Sequence, residues 1–287
     1  MNATGMIDAE ERRGQLHRMW ESVAGGWDEH QDFVDARGAA LTEQLLQGAS
    51  PAPGDRLLEL ACGAGGVGIA AAQRVGETGE VVLSDVASAM VAIAAARVAE
   101  LGLRNVRARV LDLEEIDEPD AVYDVAVCRE GLMFVVDPAR AAHELRRVLR
   151  PGGRVAIAVW GPRERNPWLA VVFDAVSAEL GTPVPPPGVP GPFSLDDAGR
   201  LEALLAGAGF SAVEVQEVST PYRAASFEEW WNRTAALAGP LARRLATLPE
   251  PVAQALRERA RTAISGYATP TGLEIPGVSL VAAATRS

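Results

Sequence analysis

The chain contains no lysine; all 27 of its basic residues are arginine. That absence excludes Schiff-base catalysis and a lysine-anchored pyridoxal cofactor. Cysteine is nearly absent too. Cys62 and Cys128 cannot build a disulfide framework, and both fall near expected strand ends, where they read as small buried filler. With three histidines and no C-x-x-C, H-E-x-x-H or Cys/His cluster, no metal site is expected. No apolar run reaches the roughly 20 residues of a membrane span. The alanine-rich stretch from Ala87 to Leu101 is interrupted by Arg97 and Glu100. Met1 to Gln15 carries acids and arginines without an apolar core, unlike a signal peptide, so the expected location is the cytoplasm. A net charge of −11 argues against a nucleic-acid surface, because phosphate contacts need clustered basic residues.

What is present is a large apolar fraction, 48% of 287 residues, enough for one large domain or one domain with a cap. Strand and helix patterns alternate from residue 55 to 160, the sign of a parallel α/β sheet. Strands are predicted over Arg56–Leu60, Glu80–Ser84, Val106–Leu111, Tyr123–Cys128 and Arg154–Trp160. Helices are predicted near Val67–Val75, Ser88–Leu101 and Pro138–Leu149. Asp137 and Pro138 open the last of these, and Pro151-Gly152-Gly153 is expected to end it. Before this block, Leu16 to Leu46 reads as two helices anchored by Trp20, Val23, Trp27 and Phe33. After it comes a proline-rich crossover, Pro183 to Pro192. Ser194-Leu195-Asp196-Asp197 then resembles a capping box for a helix that ends at Gly207-Ala208-Gly209. A strand over Phe210–Val218, a helix opening at Ser226 and bearing Trp230 and Trp231, a helix over about Val252–Ser265 and a strand over Val278–Ala284 complete the pattern. No repeat of solenoid period occurs.

The most informative stretch runs from Leu57 to Gly68, a buried strand entering Gly63-Ala64-Gly65-Gly66-Val67-Gly68 and then a helix. Glycine allows positive φ and close approach of a ligand to the main chain, and the helix start offers free N–H groups. The turn satisfies G-x-G-x-x-G, and Asp85 lies 22 residues after Gly63 at the end of the next strand. That spacing also fits a dinucleotide site, which keeps an NAD-dependent oxidoreductase open. Three features favour S-adenosylmethionine (SAM). Glu59 sits in the first strand, where a carboxylate would repel a pyrophosphate but suit the cationic groups of SAM. Asp112 follows the third strand, where it can accept from an adenine amino group. The Pro-Gly-Gly turn precedes a fifth strand.

Glu59-Leu60-Ala61-Cys62-Gly63-Ala64-Gly65, Asp85, Asp112-Leu113 and Leu149-Arg150-Pro151-Gly152-Gly153 resemble successive motifs of class I SAM-dependent methyltransferases. Gly131-Leu132-Met133-Phe134 with Asp137-Pro138, and Val159-Trp160-Gly161-Pro162 with Asn166-Pro167-Trp168, are similar to the ubiquinone/menaquinone-biosynthesis-like branch of small-molecule methyltransferases. The resemblance covers residues 55–168, and it departs from many members at Ala61-Cys62. It implies a Rossmann-like, seven-stranded, mostly parallel α/β sheet with helices on both faces and an antiparallel last strand. It also implies an N-terminal helical lid over residues 1–50 and a methyltransferase domain over 51–287. A helical cap is then expected as an insertion at about 221–276. Five of the six tryptophans lie outside residues 55–160, either as an aromatic wall of a site or as packing onto the sheet.

The resemblance further implies a cofactor site at the carboxyl ends of the strands. Ala61, Gly63 and Gly65 would lie against the methionine part of SAM, and Glu59 would steady its ammonium end. Asp85 would accept from the ribose hydroxyls, and Val86 and Met90 would pack on the adenine. Asp112 would take the adenine amino group, with the Leu113 N–H directed to the ring. Arg129 would offer its carbonyl near the SAM amino group. Methyl transfer is an in-line displacement that needs alignment and a dry pocket, and a base only for a protonated nucleophile. Glu130 and His30 are the candidate bases; His143 reads as structural and His17 as a surface residue. The expected partner is a small, partly apolar methyl acceptor, through O, N or C, with no nucleic acid; a homodimer is left open. A protein that binds SAM without transferring its methyl group is the remaining alternative.

Overall fold

The computed structural model describes residues 9–186, 189–238, 245 and 247–287. Parts of the expected lid, proline-rich crossover and cap therefore lie outside the described residues. Helices α1 (Ala9–Glu29) and α2 (Gln31–Ala49) precede β1 (Arg56–Leu60), α3 (Gly66–Val75), β2 (Glu80–Asp85) and α4 (Ser88–Glu100). Then come β3 (Val106–Val110), β4 (Tyr123–Arg129), α5 (Pro138–Val148), β5 (Leu149–Trp160), α6 (Pro167–Leu180), α7 (Ala198–Gly207) and β6 (Phe210–Ser219). The remainder comprises β7 (Tyr222–Ala224), α8 (Phe227–Leu237), α9 (Glu250–Ile264), β8 (Ala268–Thr269), β9 (Gly272–Ile275) and β10 (Val278–Arg286).

Seven strands form one sheet in the order β3-β2-β1-β4-β5-β10-β6. The first five are mutually parallel, and β10 runs antiparallel to both β5 and β6, as expected of the last strand. Alternate side chains leave opposite faces of a strand, so a strand covered on both faces is apolar throughout. Leu58, Val82, Ala126 and Ile157 face α5 and α7, which supply Ala141, Leu145, Val148, Leu201 and Leu205. Leu57, Val81, Val125 and Ala156 face the opposite way, against Leu41, Leu45 and Leu46 of α2, Val67 and Ala71 of α3, and Ala94 of α4. Helix α2 is thus a full member of one covering layer.

A third apolar cluster joins α6, α8 and α9 to β7 and β9 through Trp168, Phe173, Tyr222, Trp230, Leu256 and Ile275. The segment expected as a helical cap accordingly contains a three-stranded antiparallel sheet, β7-β9-β8, beside its helices. Asn166 fastens this cluster to the main sheet. Its fully buried amide donates to the carbonyls of Gly161, Pro162 and Val278 and accepts from Trp168 Nε1 and the Val278 N–H.

Two local expectations change. Helix α5 begins as expected, with Asp137 accepting from the Arg140 N–H, but it ends at Val148. Leu149 already pairs with Tyr123, and Pro151-Gly152-Gly153 forms an irregularity inside β5 before Arg154 pairs with Val125. Sheet pairing captures residues that the glycines alone would assign to a turn. The N-cap of α7 is Asp197, which accepts from the Arg200 N–H. Ser194 instead donates its hydroxyl to the Met133 carbonyl.

Candidate active site

The turn after β1 holds three residues at positive φ: Ala61 at 51°, Gly63 at 53° and Gly65 at 84°. Gly63 is confined on its open side as well, since a Cβ there would stand 3.2 Å from the Trp27 ring. Its N–H donates to Asp85 Oδ2 at 3.0 Å, and Asp85 Oδ1 accepts from the Ala87 N–H at 3.0 Å. Burial pushes the Asp85 carboxyl above its usual range, against the pull of the Ala87, Gly63 and Val86 amides.

Glu59 departs from its expected role. Its buried carboxylate accepts from the Gly68 N–H at 2.6 Å and does not line the cleft. The free amides of a helix start attract a carboxylate more directly than a distant ammonium group does. Burial raises its pKa to about 7, with the Arg129 charge and the Gly68 amide acting in the opposite sense. Asp35 from α2 stands over the same helix start, where a Cβ on Gly66 would meet its Oδ1 at 2.2 Å. Asp35 also bridges Arg97, at 2.6 Å, and Arg129, at 3.8 Å. Arg97 donates to the Ala64 carbonyl, and Arg129 donates to Thr42 Oγ1. This chain of charges ties α2 to the glycine turn.

Along the carboxyl ends of β1 to β5 runs one cleft with about 1630 Å³ of empty space, its mouth included. Ala61, Gly63, Asp85, Val86, Met90, Asp112, Leu113, Arg129 and Glu130 all border it. Of the expected cofactor residues, Glu59 and Gly65 stand outside it. Gly65 is instead the αL residue that starts α3, hemmed in by Leu83 and Ala94. His30 sits in the turn between α1 and α2 and does not reach the cleft. Asp112 Oδ1 accepts from the Glu114 N–H, and His17 Nε2 lies 3.4 Å from Oδ2. Burial would raise the Asp112 carboxyl, but the His17 hydrogen bond, the Glu114 amide and the charges of His17 and Arg13 outweigh it and hold it low. His17, expected at the surface, is therefore a cleft residue, as are Trp20 and Trp27 of α1.

The other end of the cleft is aromatic. Trp160 meets Trp168 edge-on at 4.9 Å between centroids, and Trp168 stacks on Tyr222 at 5.6 Å. Phe33, Phe134 and Phe173 also line the cleft. Glu130, at a φ of 59°, accepts from Ser279 Oγ at 3.1 Å. The tryptophans divide between the two readings: Trp20, Trp27, Trp160 and Trp168 border the cleft, while Trp230 is buried packing whose Nε1 donates to the Trp168 carbonyl. Sequence reasoning missed Arg37, Tyr222 and Thr234, which also line the cleft. Their residue types carry no motif, and the first is separated from the other two by most of the chain.

Residues 51–171 match the family model described as a methyltransferase domain. The ubiquinone/menaquinone biosynthesis C-methyltransferase UbiE of Ralstonia nicotianae is 31% identical over 187 residues, which is 60% of this chain and 76% of that protein. Among solved structures, the [4+2]-cyclase SpnF aligns with a TM-score of 0.60 at 21% identity, covering 93% of this chain and 97% of its own. The YcgJ protein of Bacillus subtilis aligns at 0.58 and 20% identity, covering 86% and 98%. These two likenesses show the fold. The relationship to the biosynthetic C-methyltransferases shows the family: the chain belongs to the class I SAM-dependent methyltransferases of the ubiquinone/menaquinone-biosynthesis type, enzymes that methylate a small molecule with SAM as cofactor.

Proposed function

We propose that SAM lies along the cleft from β3 to β1 and that the acceptor occupies the aromatic end, beside Glu130 and Trp160. The observation that carries this reading is one continuous cleft bordered by Asp112, Asp85 and the Gly63 turn on one side and by aromatic rings on the other. Asp112 and Leu113 would hold the adenine, with Val86 and Met90 against its face. Asp85 would take the ribose hydroxyls. A carboxylate has roughly four lone-pair directions, so Asp85 can accept from a ligand while keeping the Gly63 and Ala87 amides. Ala61, Gly63 and the Arg129 carbonyl would border the methionine part, with Glu59 acting as a positioning residue through α3. The buried indole N–H of Trp27, which has no protein partner, adds a donor near the Gly63 turn.

SAM supplies an electrophilic methyl group on a sulfonium. The residues around it would align the acceptor and exclude water, which is most of what an in-line displacement requires. Glu130 is the candidate base for a protonated nucleophile. A dinucleotide fits poorly, because the Asp35 carboxylate and the Glu59 side chain already occupy the α3 start, where a pyrophosphate would bind. We assign α1 and the first turns of α2 as the lid and the residue 221–276 segment as the cap. The acidic net charge supports a metabolite over a nucleic acid as partner. Among the described residues no helix is long and apolar enough to cross a membrane. A cytoplasmic location is part of this proposal.

Asp85→Ala is expected to weaken S-adenosylhomocysteine binding by about 1.5–3 kcal/mol, the range for hydrogen bonds to a charged group. Titration calorimetry measures this directly, with Asp85→Asn as the variant that keeps an acceptor for Gly63. Unchanged affinity in Asp85→Ala would remove Asp85 from the site.

A further inference from the structure

The aromatic end of the cleft contains a cation that the cofactor reading does not use. Arg37 enters from α2, with its guanidinium carbon 4.1 Å from the Trp168 ring centroid and 5.4 Å from that of Tyr222. One Nη donates to the Thr220 carbonyl at a long 3.4 Å, and the buried Nε–H has no protein partner. A guanidinium has five N–H donors, so most of its capacity is unspent. Two further polar groups share this wall. Thr234 Oγ1 and the Tyr222 hydroxyl are both buried and neighbour each other, with Arg233 also beside the Tyr222 hydroxyl, and neither closes a well-formed hydrogen bond. Buried donors without partners are costly and uncommon, and their clustering marks a place where a ligand completes the bonding.

The charges point the same way. Arg37 interacts with Glu130 and Arg129, and Arg129 shares Asp35 with Arg97. Arg129 also faces the Glu59 carboxyl, and Arg233 nearby is already paired with Glu229. Among the described residues no carboxylate stands within ion-pair distance of Arg37, and Glu130 acts on it only through space. A planar guanidinium fork matches a carboxylate better than any other common small anion, phosphate apart. The flat walls of Trp160, Trp168 and Tyr222 suit a planar apolar body rather than a phosphate ester.

We propose that Arg37, with Thr234 and Tyr222, forms an acceptor subsite that recognises a carboxylate carried on a flat, largely apolar molecule. The proposal rests on the cofactor placement given above. The carboxylate is the handle by which the acceptor is oriented. It belongs to the acceptor and not to the amino-acid end of SAM, which the cofactor reading sets at the Gly63 turn.

The test titrates the protein, saturated with S-adenosylhomocysteine, with matched acids and amides: benzoate and benzamide, phenylacetate and phenylacetamide, 1-naphthoate and 1-naphthamide. The wild type is expected to bind at least one acid tenfold or more tighter than its amide. Arg37→Met should bring that ratio within twofold of one and leave S-adenosylhomocysteine affinity within twofold of wild type. Arg37→Lys keeps a cation over Trp168 and is the second variant should the methionine variant unfold. It loses the fork and should lose most of the acid preference. No acid preference in the wild type, or a preference that survives loss of the guanidinium fork, overturns the subsite. A fall in S-adenosylhomocysteine affinity in either variant also overturns it, by assigning Arg37 to the cofactor. Failure of the wild type to bind S-adenosylhomocysteine at all would instead overturn the cofactor placement.

Discussion

Gly63→Val should lower affinity for S-adenosylhomocysteine by at least about a hundredfold, roughly 2.7 kcal/mol. Two effects add at this position. A side chain at a φ of 53° occupies a region that β-branched residues strongly avoid, at a cost of about 1–2 kcal/mol for an ordinary L-residue. The new carbons would also press on Trp27, whose ring is already 3.2 Å from the site of a Cβ. The Gly63 amide that donates to Asp85 would be turned away in the process, so both walls of the proposed ribose pocket shift together. Gly152→Val is the control. It incurs comparable backbone strain at a φ of 77°, but no atom lies within 4 Å of its Cβ position, and it should leave affinity unchanged. Calorimetry on variants shown to be folded by circular dichroism decides the matter. A Gly63→Val protein that still binds would show that the turn is not part of the cofactor site.

Glu59→Gln should make the protein markedly less sensitive to pH. Burial raises the Glu59 carboxyl from 4.5 to about 7 in the folded protein, so the native state holds a proton that the unfolded chain releases. The stability this provides is fully present below pH 4.5 and is lost as pH rises through 7. The separation corresponds to about 3 kcal/mol, at 1.36 kcal/mol per pH unit. Glutamine cannot titrate, yet its carbonyl oxygen can still accept from the Gly68 N–H. Urea unfolding at pH 4 and pH 8 should therefore show the stability of the variant, relative to wild type, increasing by about 3 kcal/mol between the two. Parallel pH profiles for the two proteins would sink this account of Glu59.

The central sheet is legible because β1, β2, β4 and β5 are covered on both faces and so appear as largely apolar runs. Helix α6 was not read, for a related reason: Pro167-Trp168-Leu169-Ala170-Val171-Val172-Phe173 is apolar on all sides and shows no helical period. The small sheet escaped notice because strands of three, two and four residues are too short to display alternation. At the site, Gly63 and Asp85 stand out by their spacing and Asp112 and Leu113 by the family resemblance, and the cleft brings all four together. The acceptor end was not legible in the same way. Arg37, Thr220, Tyr222 and Thr234 meet only through packing of α2, β7 and α8, and no local pattern encodes a meeting of that kind. Glu59 reads in the sequence as a ligand-holding acid because its partner, the amide of Gly68, is visible only once the strand and helix are in place.

The position of β10 bears on how the protein is made. It separates β5 from β6, yet it follows both in the chain, after the whole segment of β7, α8, α9, β8 and β9. A nascent chain emerging from the ribosome can assemble β1 to β5 early, through parallel crossovers. The far edge of β5 then stays bare, with Val155, Ile157 and Val159 along it, until the final strand arrives. Strand β6 has no place in the sheet before that moment, since β10 is its sheet neighbour. Unpaired apolar strand edges are where chains stick to one another. The interval between synthesis of β5 and β10 is thus when that edge stays unpaired, and slowed translation across residues 210–276 would lengthen it.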